Sequence, residues 1–198
     1  YKRQLLVGLV TILVLQPDIG MTAVIVLTWG FQMFLAGMPM LLVICIVALA
    51  PLGLVVAYFT LGHVHKRISQ FWEGGAWQVE KARDSFANGG LFGVGPGDGT
   101  VKHHLPDAHS DFIFAVAGEE FGALACLTLL TLYAFIVLRG FSRAMSDEGL
   151  FCLIASASLL LQFGVQAAIH MASSVHLIPT KGMTLPLISY GGSSLVAS

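Results

Sequence analysis

Residues 105–138 read LPDAHSDFIFAVAGEEFGALACLTLLTLYAFIVL, in which a polar loop end meets a long apolar run. The run, 112–138, exceeds the roughly 20 apolar residues that a helix needs to cross a bilayer. Glu119 and Glu120 interrupt it, and charges at membrane depth usually face a partner or a polar cavity. The stretch therefore predicts a membrane-spanning helix that begins at a polar surface.

The composition of the whole chain also indicates a membrane protein. Of its 198 residues, 56% are hydrophobic and 11% are charged, whereas soluble domains carry about 25% charged residues. These values predict an all-α integral membrane protein, a polytopic helical bundle. The formal net charge of −1 gives no sign of a nucleic-acid partner. Cys45, Cys126 and Cys152 lie in apolar runs, where cysteine acts as a small hydrophobic residue.

Residues 1–62 contain three apolar runs, which predict three transmembrane helices. The first, 5–16, is shorter than a full span, so it is a partial helix or one that ends early. The second and third cover 19–36 and 40–62. The chain opens at Tyr1 without a signal-peptide pattern, and we expect it to be an internal piece of a longer membrane protein.

Residues 63–110 form a long polar loop that holds five of the ten Lys and Arg residues. Trp72, Val79, Ala82 and Phe86 recur at helical spacing, which predicts a short amphipathic helix. This helix lies on the membrane interface or packs on the protein; the sequence leaves both open. The segment 89–99 contains six glycines, and it is either a phosphate cradle of N–H groups or a tight irregular loop.

Residues 111–198 contain two further transmembrane helices and the start of a third. The helices are predicted over 112–138 and 150–172, joined by a polar turn at 139–149, and the third begins near Met183. The second helix carries a stripe of polar residues at every fourth position: Gln162, Gln166 and His170. This stripe should face the bundle interior, for packing or for chemistry.

The distribution of basic residues orients the chain in the membrane. If the end that carries Lys2 and Arg3 is cytoplasmic, five spans place the 63–110 loop and the 173–182 turn outside. Arg139 and Arg143 then lie inside, as the positive-inside rule requires of short loops. The sequence thus predicts a large extracytoplasmic loop that ends at Asp111.

Asp111 has two interpretations from the sequence. A carboxylate at the start of the helix can act as a general base if it reaches a hydroxyl at about 3 Å. Alternatively, it caps the helix, although Ser110 or Asp107 could do so instead. Neighbouring histidines raise the question of a metal site, because His103, His104 and His109 lie near these carboxylates. No helical H-x-x-x-H or cysteine pattern supports zinc.

Four sequence islands, taken together, resemble the SEDS family (shape, elongation, division and sporulation), more in its division branch than in its elongation branch. They are QPDIG at 16–20, the glycine-rich 89–99, LPDAHSDFIFA at 105–115 followed by GEEFG at 118–122, and PTKGMTLPLISYGGSS at 179–194. The resemblance covers essentially the whole chain. It implies the second half of a ten-helix protein of the bacterial inner membrane, with the fragment alone inactive.

The resemblance also implies an activity, peptidoglycan glycosyl transfer from lipid II during cell division. The 4-hydroxyl of an acceptor sugar attacks the donor's anomeric carbon, undecaprenyl pyrophosphate leaves, and Asp111 is the general base. The implied partners are a class B penicillin-binding protein (the transpeptidase) and other divisome proteins, at the division septum. Residues 79–85 depart from the Gln-rich segment common in the family, so no substrate contact is assigned to 76–88.

The implied leaving group calls for cations or N–H donors. Lys102 and Lys181 are the candidates, unless they are only solvated surface residues, and Mg²⁺ or Mn²⁺ bridging Asp111 and the pyrophosphate is a further possibility. Glu119 and Glu120 are partners of a cavity cation or helix-packing residues. The remaining candidate substrate-binding residues are Asp107, His109, Ser189, Gly191, Gly192 and Ser193.

Two other functions compete with the enzyme. A lipid II flippase would line its path with the polar stripe and with Glu119 and Glu120, and a non-catalytic divisome scaffold would only hold the transpeptidase. The enzyme requires Asp111 to face an outward-open groove continuous with lipid. A transporter instead requires a polar path across the membrane midplane.

Overall fold

The computed structural model describes residues 19–39, 77–101, 110–146, 149–178 and 184–189, together with scattered residues between 41 and 69. These residues form helices and turns, with no strand among them. The principal helices are α1 (Ile19–Leu35), α2 (Trp77–Gly89), α3 (Ile113–Ala144) and α4 (Leu150–Ser174). The chain divides into two compact units, one of Tyr1–Arg67 with Arg139–Gln162 and one of Ile68–Leu138 with Phe163–Ser198.

Helices α3 and α4 are long and apolar enough to cross a membrane, with 32 and 25 residues. They cover the segments predicted to be helices, 112–138 and 150–172. Many of their large apolar side chains are exposed, among them Leu127, Leu138 and Leu159, as expected of residues that face lipid. Helix α1 likewise lies within the predicted span 19–36.

The polar turn predicted at 139–149 is wrong in its first half. Helix α3 continues through Ala144, and the turn occupies Met145 and Ser146. Arginine is a good helix former, so Arg139 and Arg143 continue the helix beyond its apolar part instead of ending it. Arg143 also lies in the last turn, where a cation interacts favourably with the helix dipole.

Within the first unit, α1 lies against the last turns of α3. The rings of Phe31 and Phe141 meet edge to face with centroids 5.9 Å apart. Helix α1 ends in a Schellman motif, because Met38 N–H bonds to the carbonyl of Met33 and Gly37 N–H to that of Phe34. Gly37 adopts the left-handed conformation, φ 93°, that this motif requires.

The second unit has a core built on the first turns of α3. Helix α2 packs there through Ala82, which is fully buried in a cluster with Phe112, Ala115 and Val116. This contact favours the second interpretation of the amphipathic helix, in which it packs on the protein. Val79 and Trp72 lie outside the residues whose side chains the structure describes.

A second cluster joins α3, α4 and the segment 184–189. Tyr133 stacks on Phe163 with ring centroids 5.3 Å apart, and Met171 and Leu185 are buried beside them. The described part of the predicted third span, 184–189, forms a turn. The rest of that span, 190–198, lies outside the described residues, as does the predicted first helix, 5–16.

Candidate functional site

Asp111 lies directly outside the first turn of α3. The first bond of α-helical spacing joins Val116 N–H to the carbonyl of Phe112 at 3.0 Å. This bond makes Phe112 the N-cap residue and leaves Asp111 one position before it. Asp111 is half-buried. The geometry therefore weakens the interpretation of Asp111 as the cap and places a partly exposed aspartate at the helix end.

The residue before Asp111 is held from a distant part of the chain. The hydroxyl of Ser189 donates to the backbone carbonyl of Ser110 at 2.5 Å, and Ser189 itself is only 2% exposed. Next to it, the Tyr133 hydroxyl donates to the carbonyl of Pro186. The structure thus brings the predicted residue Ser189 to the Asp111 loop, where its hydroxyl contacts backbone.

Helix α3 is broken at Gly122. This residue has φ 80° and ψ 179°, a region of backbone conformation that is essentially restricted to glycine. In an unbroken helix the N–H groups of Ala123 and Leu124 would bond four residues back. Here they donate instead to the carbonyls of Gly90 and Leu91, at 2.9 and 3.3 Å.

The carbonyls that the break leaves exposed are paired by the same loop. Val94 N–H donates to the carbonyl of Glu119 at 3.0 Å, and Gly95 N–H donates to that of Glu120 at 3.1 Å. A methyl group on Gly93 would lie 2.2 Å from the Glu120 carbonyl oxygen. The glycine-rich loop therefore replaces one turn of helix hydrogen bonding, which explains why it needs residues without side chains.

This pairing counts against the loop as a phosphate cradle. Such a cradle needs several N–H groups directed at the anion. The N–H of Gly93 bonds to the carbonyl of Gly89 at 2.7 Å, and those of Val94 and Gly95 bond to α3. These three donors are engaged within the protein, so the alternative of a tight irregular loop is favoured.

Glu119 lies inside this junction and has no exposed surface. Its Oε1 atom accepts three hydrogen bonds, from the side-chain amide of Asn88 at 2.9 Å and from the backbone N–H groups of Thr100 and Val101, each at 2.8 Å. Glu120, the neighbouring residue, is half-buried. The two carboxylates, which the sequence could not separate, thus occupy different surroundings.

An apolar groove of about 450 Å³ begins one helical turn from Asp111, at Phe114. It runs between α3 and the second half of α4 and lies within the second unit. Its lining side chains are apolar and come from three parts of the chain: Phe86 of α2, Phe114, Ala123, Cys126, Leu127 and Leu130 of α3, and Ala168, Met171, Ala172, Val175 and Leu177 of α4 and the turn after it. Such a groove suits a hydrocarbon chain.

Two residues of the polar stripe of α4, Gln166 and His170, lie against protein. The side-chain amide of Gln166 donates to the carbonyl of Thr184 at 3.3 Å. His170 is fully buried, and its carbonyl accepts the hydroxyls of Ser173 and Ser174. The Gln166 bond and the burial of His170 support a packing role for these two residues of the stripe.

The other candidate site residues lie outside the part of the chain that the structure describes. They are Lys102, Asp107, His109, Lys181, Gly191, Gly192 and Ser193, with His103 and His104. Among the described residues, no three His, Cys, Asp or Glu side chains lie close enough together to hold a metal ion. The predicted divalent-cation site therefore stays a prediction.

Sequence reasoning missed two residues of this region, Asn88 and Tyr133. Asn88 lies in the last turn of α2, where a polar residue is unremarkable. The one signal for Tyr133 was a phenol hydroxyl inside an apolar run, since a buried tyrosine hydroxyl usually finds a partner.

Comparison with known proteins gives matches along the whole chain. The sequence profile of the FtsW, RodA and SpoVE family, described as cell cycle proteins, matches residues 3–198. A probable peptidoglycan glycosyltransferase FtsW from Caulobacter vibrioides is 42% identical over 191 residues, which are 95% of this chain and 49% of the relative. The peptidoglycan glycosyltransferase RodA of Mycobacterium leprae is 34% identical over 195 residues, 96% of this chain and 42% of the relative.

Two solved structures are similar to this one. A chain from a study of structural coordination of polymerization and crosslinking by a peptidoglycan synthase complex superposes with a TM-score of 0.80 at 27% identity, covering 98% of this chain and 56% of that one. A mutant of the rod shape determining protein RodA from Thermus thermophilus gives a TM-score of 0.62 at 27% identity, with 98% and 51% covered. The chain spans about half the length of the curated relatives it matches.

Proposed function

The chain belongs to the cell cycle protein family of FtsW, RodA and SpoVE, the SEDS family that its motifs predict, and we propose that it is part of a peptidoglycan glycosyltransferase. Relatives that share 33–42% of its residues carry that name. Its apolar helices α3 and α4 agree with a multi-pass membrane protein. The full-length protein would polymerise lipid II into glycan strands.

In the proposed reaction, Asp111 acts as the general base. The 4-hydroxyl of the acceptor sugar attacks the anomeric carbon of the lipid-linked donor, and its proton passes to the Asp111 carboxylate. The new C–O bond forms as the bond from the anomeric carbon to the pyrophosphate oxygen breaks, which releases undecaprenyl pyrophosphate. Inversion at that carbon requires the base on the face opposite the leaving group.

The observation that carries this proposal is that Asp111 and the apolar groove lie close together in the chain. Asp111 is half-buried at the helix end, and Phe114, three residues later, lines the groove. A polyprenyl donor needs a hydrocarbon surface next to a polar reaction centre. This pair of features supports an enzyme that takes a lipid-linked substrate from the membrane.

The flippase alternative needs polar groups that line a path across the membrane. Of the five described groups assigned to that path, Glu119 and Gln166 form hydrogen bonds to backbone within the protein, and His170 is fully buried. The groove beside them is lined by apolar side chains. These contacts favour the enzyme over the transporter.

Polymerisation of lipid II by the full-length protein in liposomes, with and without its transpeptidase partner, tests the proposal. Asp111→Asn keeps the shape of the side chain and removes the base, so we expect a loss of about 10²–10⁴-fold in kcat. Asp98→Asn is the matched control, because Asp98 is an exposed carboxylate of the same loop. Undiminished polymer from Asp111→Asn would rule out the base assignment. If this variant polymerises normally but lipid II fails to reach the outer leaflet, the result would favour the flippase.

Cations complete the proposed site. Lys102 and Lys181 would neutralise the leaving pyrophosphate, together with Mg²⁺ or Mn²⁺ at Asp111, and Asp107 and His109 would support the carboxylate. Ser189, Gly191, Gly192 and Ser193 would contact the substrate. Treatment with EDTA followed by return of each ion measures the metal requirement directly.

We further propose a class B penicillin-binding protein as the partner and the division septum as the location. The similar solved chain comes from a complex that couples polymerisation to crosslinking, and several relatives are FtsW proteins. Copurification of the full-length protein with each class B transpeptidase of its host, and its position in dividing cells, test both statements.

A further inference from the structure

We propose that Glu119 is a positioning residue, which holds the start of α3 and the end of the glycine-rich loop in one arrangement through its carboxylate oxygen. The inference deepens the proposed glycosyl transfer and rests on it for its kinetic part. It assigns Glu119 no contact with substrate or with a cation.

The break at Gly122 makes the start of α3 a short separate helix. Residues 113–121 precede the break and carry Asp111 at their outer end. Backbone hydrogen bonds that would have continued the helix run instead to the loop residues Gly90 and Leu91. The direction of this short helix is therefore set by what holds it from the side, because the hydrogen-bond ladder through α3 is interrupted.

Glu119 provides that lateral attachment. Its Oε1 atom joins the short helix to Asn88 at the end of α2 and to Thr100 and Val101 at the end of the loop. Three N–H donors at 2.8–2.9 Å converge on one oxygen that has no exposed surface. Hydrogen bonds to a carboxylate are among the stronger ones in proteins, and a buried network of this kind specifies a single arrangement.

The two elements that Glu119 joins both lead to the proposed reaction centre. The short helix carries Asp111, and Val101 directly precedes Lys102, the candidate for the pyrophosphate. From the other side, Ser189 holds the carbonyl of Ser110. A misplacement of about 1 Å at a reacting group can cost about 10²-fold in rate, so a loosened Glu119 contact should lower turnover.

The alternative, a charged ligand for substrate or cation, predicts a different response to the neutral isostere. Glutamine at position 119 retains a side-chain oxygen that can accept hydrogen bonds from the same donors but lacks the charge. Positioning requires the oxygen, whereas charge neutralisation requires the negative charge. Glu119→Gln and Glu119→Ala therefore separate the two roles.

The experiment uses the full-length protein with its partner in detergent and in liposomes. Hydrogen exchange of the Thr100 and Val101 amides reports the contact without any reaction, and lipid II polymerisation gives kcat and KM. Glu80→Gln and Glu80→Ala are the matched controls, since Glu80 is an exposed glutamate of α2 in the segment to which no substrate contact is assigned. Thermal unfolding of each variant measures stability separately.

With Glu119→Ala we expect hydrogen exchange at both amides to rise by about tenfold or more, since amides that lose their buried acceptor become exposed by local opening. We expect kcat to fall about tenfold or more with little change in KM, because the base is displaced while the groove is intact. With Glu119→Gln, both values should stay within about threefold of the parent, since the amide oxygen keeps the contact.

Two results would overturn the proposal. One is an equal loss of activity in Glu119→Gln and Glu119→Ala, which indicates a role for the charge. The other is unchanged exchange at Thr100 and Val101 in Glu119→Ala.

If Glu119→Ala does not fold, the glutamine variant alone still decides, because positioning predicts near-normal turnover for it. Failure of the glycosyl transfer itself would appear in Asp111→Asn and would leave the exchange result standing.

Discussion

The hydroxyl of Ser189 donates to the carbonyl of Ser110, a contact that joins residues 79 positions apart in the sequence. Ser110 directly precedes Asp111, so this bond fixes the backbone next to the proposed base. The segment that supplies Ser189 is itself anchored, since Leu185 is fully buried and Pro186 accepts the Tyr133 hydroxyl. The segment 184–189 thus contacts the backbone of the residue that precedes Asp111.

Ser189→Ala should therefore lower turnover more than stability. Loss of one neutral hydrogen bond costs about 1 kcal/mol. The freed Ser110 backbone can shift Asp111, and we expect kcat for lipid II polymerisation to fall by about tenfold. Thermal unfolding and steady-state kinetics of the full-length protein measure the two effects.

Ser158→Ala is the control for that substitution. Ser158 is also buried, but its hydroxyl donates to the carbonyl of Ile154 within its own helix. We expect its kcat to stay within about twofold of the parent, since such a bond adds little to a carbonyl already paired in the helix. Equal losses of kcat in both serine variants would contradict a specific role for Ser189.

Tyr133→Phe tests the other attachment of the 184–189 segment. The ring keeps its stack on Phe163, whereas the carbonyl of Pro186 loses its donor. A buried acceptor without a partner costs about 1–3 kcal/mol, so the melting temperature should fall and hydrogen exchange in 184–189 should rise. Tyr133→Leu removes the stack as well and should destabilise further; a Tyr133→Phe variant as stable as the parent would contradict the prediction.

Hydropathy and motifs sufficed to predict much of this structure. The apolar runs gave the positions of α1, α3 and α4, because a bilayer imposes the length and composition of a spanning helix. The motif containing Asp111 located the proposed base, and the pattern of Ala82 and Phe86 predicted α2. These features depend on local sequence, which is available without coordinates.

The helix break and its consequences could not be predicted in the same way. A lone glycine inside a helical pattern is usually tolerated, so Gly122 gave no signal of a break. Its replacement partners lie in the 90–95 loop, and the donors to Glu119 come from residues 18, 19 and 31 positions earlier. Such pairings depend on tertiary structure, and the sequence therefore left the role of Glu119 open.

Gly122→Ala should disrupt the break. Its φ of 80° and ψ of 179° are strained for alanine, and the added methyl would lie 2.4 Å from the Leu91 carbonyl oxygen. We expect a loss of about 2 kcal/mol or more in unfolding free energy, together with loss of polymerisation. Gly30→Ala is the control, since an added methyl there meets nothing within 4 Å. A glycine-to-alanine change inside a helix should stabilise by about 0.5–1 kcal/mol.

Ala168→Trp should obstruct the apolar groove. Ala168 lines it, so a tryptophan there would occupy space that the polyprenyl chain needs. We expect the KM for lipid II to rise by about tenfold, which corresponds to a loss of about 1.4 kcal/mol in binding free energy. Ala134→Trp, at an exposed position of α3 that does not line the groove, should leave KM unchanged. A short-chain lipid II analogue should be affected less than the natural substrate, and an equal response to both would contradict a groove that binds hydrocarbon.

The ends of α1 and α4 offer a pair of opposite predictions. Both helices end in Schellman motifs, and in α4 the bonds run from Leu177 N–H to Ala172 and from His176 N–H to Ser173. The left-handed position is Gly37 in the first and His176, φ 61°, in the second. A side chain at this position costs about 1 kcal/mol relative to glycine.

His176→Gly should therefore raise the melting temperature in detergent and Gly37→Ala should lower it, while kcat stays unchanged in both. A destabilised His176→Gly would show that the imidazole contributes contacts worth more than the backbone strain.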